Sequence, residues 1–168
     1  MKVLLGRHAL SHANNYEESA VNNPDTTLAY GHPDAVLMNK GILQSIGMGY
    51  VFIDDYHVDP RSTPVAVSRM TRSRQTAQFA GFMRRTIYPA LDEVDTGYDK
   101  DKLKETNAAG INTEVGLRIA EAILADPPEE LVWITHGLVI AGITEILGLT
   151  DKFENFVPKF CEIREIEI

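Results

Sequence analysis

Three short, almost continuously apolar segments recur along this chain, and polar side chains follow each of them at once. They run from Lys2 to Gly6, from Pro64 to Ser68 and from Leu131 to Thr135. Apolar runs of this length are typical of strands buried on both faces, as in the middle of a parallel sheet. This pattern constrains the fold more than any other feature, because such a sheet needs helices to cover each face.

Segments with helical patterns separate the three predicted strands. We predict helices from Lys40, capped by Asn39, to about Ile53; from about Thr71 to Arg85; from Asn112 or Thr113, as the cap, to Ala125; and from Gly137 to Leu147. A strand or extended segment is predicted from Ile87 to Val94, and an edge strand, bulged near Arg164–Glu165 or frayed, from Cys161 to Ile168. This alternation predicts an α/β fold with a mostly parallel sheet.

Length and composition fit one domain that covers residues 1–168. The 168 residues are 44% hydrophobic, which is enough apolar material for a core. A formal net charge of −8 argues against nucleic acid or a membrane as a partner, because both attract basic surfaces. Cys161 is the only cysteine, and the apolar run at the N-terminus is too short for a signal peptide, so we expect a cytoplasmic protein.

Polar residues that bear chemistry follow all three predicted strands. Arg7 and His8 follow the first strand, the segment Ser68–Arg72 follows the second, and His136 follows the third. In open α/β sheets, ligands bind beyond the carboxyl ends of the strands. We therefore expect these side chains to meet at one edge of the sheet and to form the functional site.

A metal site is one interpretation of the first cluster, because His8 and His12 have the i, i+4 spacing of two ligands on one helical face. Such a site would need a third ligand, for example Glu17 or His136. The adjacent Arg7 would repel a divalent cation, and the chain contains neither a cysteine pair nor an HExxH sequence. The residues therefore favour a site without metal.

A phosphate site is the second interpretation. Neutral histidine can act as a nucleophile, and nearby guanidinium groups help to keep the imidazole of His8 neutral. Arginine side chains match phosphoryl oxygens in two-pronged geometry, so Arg7, Arg72 and His136 could form an anion clamp around His8. The third interpretation is structural: a hydrogen-bonded histidine at a strand end and solvated arginines are both common.

These residues resemble the signature of the histidine phosphatase superfamily, also called phosphoglycerate mutase-like. Its RHG-type motif corresponds to Arg7-His8-Ala9, followed by Ser11 and Asn14. Its later motifs occur in family order and together span nearly the whole chain: Gly31, Asp34, Leu37, Gly41 and Gln44; then Ser68, Arg72, Gln75, Thr76 and Ala77; then Leu91-Asp92-Glu93 with Gly97; and finally Thr135-His136-Gly137.

The resemblance implies a three-layer α/β/α sandwich of the phosphoglycerate mutase-like type and a reaction that needs no metal and no cofactor. It implies that His8 attacks phosphorus and becomes phosphohistidine. Arg7, Arg72 and His136 would hold the phosphoryl oxygens, and Asn14 would help to position the group.

The resemblance also implies that Glu93 is the general acid, which protonates the leaving oxygen and then activates water. Asp92 and Asp95 compete for this role, because the position of the acid varies across the family. Two residues depart from the family pattern. Ala9 replaces the common glycine, and Arg69 replaces the usual proline, which places a positive charge near the pocket or in solvent.

The compact chain favours a phosphatase over a mutase, which would carry longer insertions to retain a bisphosphate. The presence of both His8 and His136 argues against the other alternative, a phosphate-binding module of the same fold without catalysis. We expect a small phosphorylated substrate or a phosphoprotein. The segments Ala13–Ala35 and Asp95–Gly110 are predicted to cover the site. The protein is expected to be a monomer or a homodimer, and the apolar edge Ile163–Ile168 could pair with a second copy.

Overall fold

A computed structural model describes residues 1–14, 34–93 and 111–168, and side chains 111–113 are not among the described atoms. The strands are β1 (Lys2–Arg7), β2 (Pro64–Val67), β3 (Arg84–Ile87), β4 (Val132–Thr135) and β5 (Ile163–Glu167). The α-helices are α1 (Asn39–Asp54), α2 (Thr71–Phe79), α3 (Ile111–Ala125) and α4 (Gly137–Ile146), and 3₁₀ turns cover Pro89–Leu91 and Thr150–Lys152. Within the described ranges, no helix is both long and apolar enough to cross a membrane.

The strands form one sheet in the order β3-β2-β4-β1-β5. The pairs β1–β4, β2–β4 and β2–β3 are parallel, and β5 alone pairs antiparallel, with β1. The predictions of an α/β fold and of a mostly parallel sheet are therefore confirmed. The predicted edge position of the C-terminal strand is confirmed as well, because β5 lies at one end of the described sheet.

Apolar side chains fill both sides of the sheet. On one side, Val3, Leu5 and Trp133 pack with Ile123 of α3 and Ile140 of α4 in one buried cluster. A second cluster joins alternate strand residues with α1, α2 and the turn after α2: Leu4, Val65, Val67, Val132, Ile134, Met48, Phe52, Ala77 and Phe82. Because successive strand residues point to opposite faces, these two clusters place helices on both sides of the sheet. The three-layer arrangement is confirmed.

Helix α2 ends well before Arg85, so the predicted length of this helix is wrong. Gly81 has a φ of 94°, and its N–H donates to the Gln78 carbonyl, while the Phe82 N–H donates to the Ala77 carbonyl. This is the Schellman arrangement, in which a glycine in the left-handed region reverses the chain. The chain then leads directly into β3, so Arg84 and Arg85 lie in a strand and not in a helix.

Three other boundaries also differ from the predictions. The residue that caps α1 is Met38, with no side-chain cap, and Asn39 is the first helical residue. Helix α3 begins at Ile111, so both predicted caps lie inside it. The strand or extended segment expected at 87–94 is not a strand beyond Ile87, where β3 ends. Pro89 begins a 3₁₀ turn two residues later.

Strand β5 contains no bulge, which corrects the prediction for the C-terminal segment. Its register with β1 is continuous from Lys2 opposite Glu167 to Gly6 opposite Ile163. The apolar pattern slips because Arg164 occupies a buried position, with 1% of its surface exposed. Its guanidinium is bound by the Glu162 carboxylate at 2.9 Å and by two backbone carbonyls. An arginine can therefore replace an apolar residue on the inner face of the strand.

Candidate active site

The carboxyl ends of β1, β2 and β4 lie side by side and deliver the predicted site residues to one edge of the sheet. Arg7 pairs with Thr135, and the His8 N–H donates to the Thr135 carbonyl at 2.9 Å. The Ser68 N–H donates to the Ile134 carbonyl at 3.2 Å. These backbone bonds set the relative positions of the residues that follow each strand. His8, Arg72, Glu93 and His136 come together here, as the sequence predicts.

The imidazole of His8 is held in one orientation by bonds to both ring nitrogens. Its Nδ1 lies 2.8 Å from the Ala9 carbonyl oxygen, which can only accept a hydrogen bond, so Nδ1 carries the proton. Its Nε2 then carries the lone pair of the neutral ring and accepts a hydrogen bond from Arg72 Nε at 3.3 Å. The side chain is 1% exposed. The arrangement therefore presents a neutral imidazole whose Nε2 faces a guanidinium.

Arg72 lies in the first turn of α2, and its guanidinium is buried at the centre of the site. It donates to His8 through Nε and to Glu93 Oε2 through Nη2, at 3.1 Å. The carbonyl of Arg72 accepts from the Thr76 hydroxyl, which in turn accepts from the Ala9 N–H at 2.9 Å. Thr76 therefore connects α2 with the segment after β1 and holds His8 and Arg72 in register. Ala9 itself is fully buried.

Arg7 reaches the same edge and is held by residues that the sequence analysis did not identify. Its Nη1 donates to the Pro158 carbonyl at 2.6 Å, and its guanidinium lies 3.9 Å from the centre of the Phe160 ring. Gly137 leaves room for this side chain, because a Cβ there would lie 3.1 Å from Arg7 Nε. Arg7 Nε is buried and has no hydrogen-bond partner among the described residues. It is therefore a donor available to an anion.

Phe160 also lies against His8, with ring centroids 5.9 Å apart. Neither Pro158 nor Phe160 belongs to a polar pattern, and Pro158 acts through its backbone carbonyl, which any residue carries. The pairing of β5 with β1 brings this part of the chain to the site. The sequence alone therefore contains no direct signal for this wall.

His136 is fully buried beside His8, with ring centroids 5.0 Å apart. Its Nε2 lies 2.9 Å from the Ser68 hydroxyl. Its Nδ1 lies 3.6 Å from Glu93 Oε2 and has no hydrogen-bond partner within the described ranges. One ring nitrogen is therefore anchored in the protein, and the other faces the site.

The three candidates for the general acid have different surroundings. Glu93 is one quarter exposed and contacts both Arg72 and His136. Asp92 instead accepts from the Ser68 hydroxyl at 2.7 Å and from Arg69 Nε at 2.5 Å. Asp95 lies outside the described residues. Arg69 is thus paired with Asp92, and its side chain is 65% exposed, so its charge lies largely in solvent.

Asn14 and His12 lie in the segment that follows β1. The Asn14 side-chain oxygen accepts from the Ser11 hydroxyl at 2.7 Å, and no hydrogen bond joins it to the other predicted site residues in the part of the chain that is described. The His12 N–H donates to the Val36 carbonyl in the short pairing of the segments on either side of the undescribed residues 15–33. The role predicted for Asn14 stays a prediction.

The site is arranged to keep both histidines neutral. Burial, and then the positive charges of Arg72 and Arg7, lower the pKa of His8 well below its usual 6.5. The pKa of His136 is lowered well below the same value, first by burial and then by Arg72, His8 and Arg7. A neutral imidazole at position 8 retains the lone pair that a nucleophile needs.

Three potential metal ligands also lie in this cluster. Atoms of His8, Glu93 and His136 lie within 4.8 Å of one another. This set differs from the His8–His12 pair considered from the sequence, and Glu17 lies outside the described residues. Two arginines, Arg7 and Arg72, flank the same space and would repel a divalent cation. The donors therefore suit an anion better than a metal ion.

Comparison with known proteins supports the fold. No family model matches the chain, and no curated protein matches it in sequence. Solved structures do match. TTHB049 from Thermus thermophilus aligns at 20% identity with a TM-score of 0.63, over 99% of this chain and 94% of that one. A phosphoserine phosphatase from Entamoeba histolytica, in complex with 3-phosphoglyceric acid, aligns at 16% identity with a TM-score of 0.64, over 98% and 89%.

A third structure is an Escherichia coli protein with the provisional name alpha-ribazole-5'-P phosphatase. It aligns at 19% identity with a TM-score of 0.56, over 89% of this chain and 80% of that one. At these identities the likeness establishes the fold alone. The phosphoglycerate mutase-like fold predicted from the sequence is confirmed.

Proposed function

We propose that the protein is a phosphatase that hydrolyses a phosphate monoester through a phosphohistidine at His8. The observation that carries this proposal is the orientation of the His8 ring. Its Nδ1 proton is bound by the Ala9 carbonyl, so the nucleophilic lone pair lies on Nε2, beside Arg72. The phosphatase names of two proteins that share the fold support the same reaction class.

The donors around His8 fit a phosphoryl group. Arg72 donates through Nε to His8 Nε2 and through Nη2 to Glu93, and Arg7 Nε is a buried donor with no partner among the described residues. The Nδ1 of His136 has no partner there either, and it can donate to an anion once it is protonated. Fixed donors in a buried site stabilise the charge that develops on the equatorial oxygens during phosphoryl transfer. Glu93 lies against Arg72 and His136, so its carboxylate contacts the donors that a phosphoryl group would use.

The reaction would proceed in two balanced steps. In the first, His8 Nε2 forms a bond to phosphorus, the bond to the ester oxygen breaks, and Glu93 gives that oxygen its proton. In the second, Glu93 takes a proton from water, the oxygen of which attacks phosphorus, and the P–N bond breaks to restore neutral His8. The products are an alcohol and inorganic phosphate, and every group of the protein returns to its starting state.

The partial exposure of Glu93 supports its role, because the water that it activates in the second step must reach it from solvent. Asp92 is a weaker candidate, since both of its oxygens already accept hydrogen bonds from Ser68 and Arg69. We assign the acid to Glu93 on these contacts.

The first experiment is hydrolysis of an aryl phosphate in excess chelator, over a pH series, by the wild type and His8→Ala. We expect turnover that resists the chelator and falls by a factor of about a thousand or more in the variant. His57→Asn is the matched control, because His57 is exposed and has a φ of 56°, a conformation that asparagine tolerates. Mass spectrometry of protein quenched in alkali should find one phosphoryl group, on His8.

The other outcomes point to different functions. Turnover abolished by the chelator would refute the nucleophilic histidine and favour the His8–Glu93–His136 metal set. Transfer between two hydroxyls of one substrate, dependent on a bisphosphate primer, would indicate a mutase. Binding of phosphate without turnover of any ester would leave a phosphate-binding module.

A further inference from the structure

A chain of hydrogen bonds runs from the buried histidine at position 136 to a carboxylate that does not face the pocket. His136 Nε2 lies 2.9 Å from Ser68 Oγ, and Ser68 Oγ lies 2.7 Å from Asp92 Oδ1. Ser68 Oγ also accepts from the Met70 N–H at 3.2 Å. Asp92 is held in place by Arg69, the N–H of which donates to Oδ1 at 2.7 Å and the guanidinium of which donates to Oδ2 at 2.5 Å.

The bonds of Ser68 determine where the proton of His136 lies. A hydroxyl has one donor and two acceptor positions. Ser68 donates to the Asp92 carboxylate, which only accepts, and it receives the Met70 N–H. The contact with His136, at 2.9 Å, must therefore be an N–H donated by the imidazole; the Ser73 hydroxyl is a more distant neighbour of the same nitrogen, at 3.5 Å. Nε2 of His136 carries the proton, and in the neutral ring Nδ1 is a bare lone pair.

This tautomer has a consequence for anion binding. Nδ1 is the nitrogen that faces the site, is buried and has no hydrogen-bond partner among the described residues. A lone pair repels a phosphoryl oxygen, so Nδ1 must gain a proton before it can bind one. The charged groups around the ring act in both directions. His8, Arg72 and Arg7 oppose a positive charge on His136, whereas Glu93, at 3.6 Å, favours it.

We propose that Ser68 and Asp92 are positioning residues that make His136 a proton-coupled anion receptor. In the free protein His136 is neutral, with its proton on Nε2. When a dianionic phosphoryl group enters, Nδ1 takes up one proton from solvent and donates it to an oxygen of the anion. The Asp92 carboxylate, through Ser68, stabilises the imidazolium that results. This inference rests on the proposed role of His136 in holding the phosphoryl group.

The uptake of protons on binding a dianion that does not itself titrate tests this mechanism. Sulfate is such a probe, and calorimetry of its binding near pH 7.5 in buffers of different ionisation enthalpy counts the protons. We expect about one proton per sulfate for the wild type and markedly fewer for Asp92→Asn. The variant should bind sulfate roughly tenfold more weakly. This is the low end of the range seen when a residue that hydrogen-bonds to a ligand-binding histidine is replaced.

The chain offers a matched control for this variant. The Ser62 hydroxyl lies 3.1 Å from Asp59 Oδ2, and the Arg61 N–H donates to Asp59 Oδ1, so Asp59 forms a similar serine–aspartate pair on the surface. Asp59→Asn should change neither the proton count nor the affinity. Urea unfolding of both variants shows whether the fold is retained.

A second measurement reads the protonation state in the wild type and so does not depend on how Asp92→Asn folds; one further variant serves only to assign the resonances. In protein labelled with ¹⁵N-histidine, the resonances lost in His136→Gln identify the ring. They should show a proton on Nε2 alone without sulfate and on both nitrogens with sulfate.

A proton on Nδ1 in the free protein, no proton uptake, or an unchanged Asp92→Asn would overturn the inference. If sulfate binds as expected but an aryl phosphate is not hydrolysed, the proposed function fails and the proton-coupled receptor stands. If hydrolysis needs His8 but Asp92 has no effect, only the present inference fails.

Discussion

Acid should destabilise this protein before its carboxylates begin to titrate, because two buried histidines are neutral in the folded state. The pKa values of His8 and His136 are both held well below 6.5, chiefly by burial. In the unfolded chain both rings would titrate near 6.5. Below that pH the unfolded chain binds protons that the folded protein does not, so unfolding takes up protons and acid favours it.

The expected magnitude follows from linkage. Between about pH 7.5 and pH 5.5, a histidine that is neutral in the fold and free to titrate in the unfolded chain costs roughly 1.4 kcal/mol. His8 and His136 together should therefore lower the free energy of unfolding by about 3 kcal/mol. This is a large fraction of the roughly 5–15 kcal/mol that stabilises a typical domain. Stability should level off above about pH 7 and fall steadily below 6.5.

Urea unfolding at several pH values between these limits measures the effect. The buffers must be free of phosphate and sulfate. A bound anion would favour charged histidines in the folded protein and so reduce the loss of stability on acidification. His8→Asn removes one of the two groups and should reduce the loss on acidification by about half. His57→Asn, on the surface, should leave the pH dependence unchanged. A loss below about 1 kcal/mol, or one that His8→Asn does not reduce, would refute the neutral state of these rings.

Three further predictions concern single side chains. Gly137→Ala places a Cβ 2.8 Å from Val157 Cγ1 and 3.1 Å from Arg7 Nε, so kcat/KM should fall about ten- to a hundredfold in a steady-state assay. Arg164→Leu removes the buried guanidinium from which one oxygen of the Glu162 carboxylate and two carbonyls accept hydrogen bonds, and should lower the free energy of unfolding in urea by about 3 kcal/mol. Burial raises the pKa of the Cys161 thiol to about 12, so the folded protein should resist a thiol reagent near pH 8 and react with one equivalent in urea.

Much of the site could be predicted because its chemistry lies at strand ends. An apolar run that stops at Arg7 and His8 indicates both a buried strand and its carboxyl edge, and parallel pairing with β4 then brings His136 alongside. The helix lengths were less predictable. Arg84 and Arg85 have good helical propensity, but a glycine with φ of 94° ends the helix before them.

The wall formed by Pro158 and Phe160 was not predictable for a different reason. Arg7 donates to a backbone carbonyl there, and such a contact cannot be inferred from composition or spacing. The bulge predicted for the C-terminal strand was wrong for a related reason. The alternation of apolar and polar residues assigns an arginine to the solvent-facing side of a strand. Arg164 is buried because the Glu162 carboxylate and two carbonyls satisfy its charge and its donors, and these partners appear only in the folded chain.

The central position of β1 has a consequence for how the chain is made. Leu4, in this early strand, is paired on one side with Val132 and on the other with Glu165. At typical rates of synthesis, roughly 6–25 s separate the appearance of β1 from that of its first neighbour. During that time the apolar β1 segment has no neighbouring strand to pair with, and it can aggregate or bind a chaperone. On refolding, activity should therefore return only when β1 pairs with these distant strands, and not when the chain first collapses.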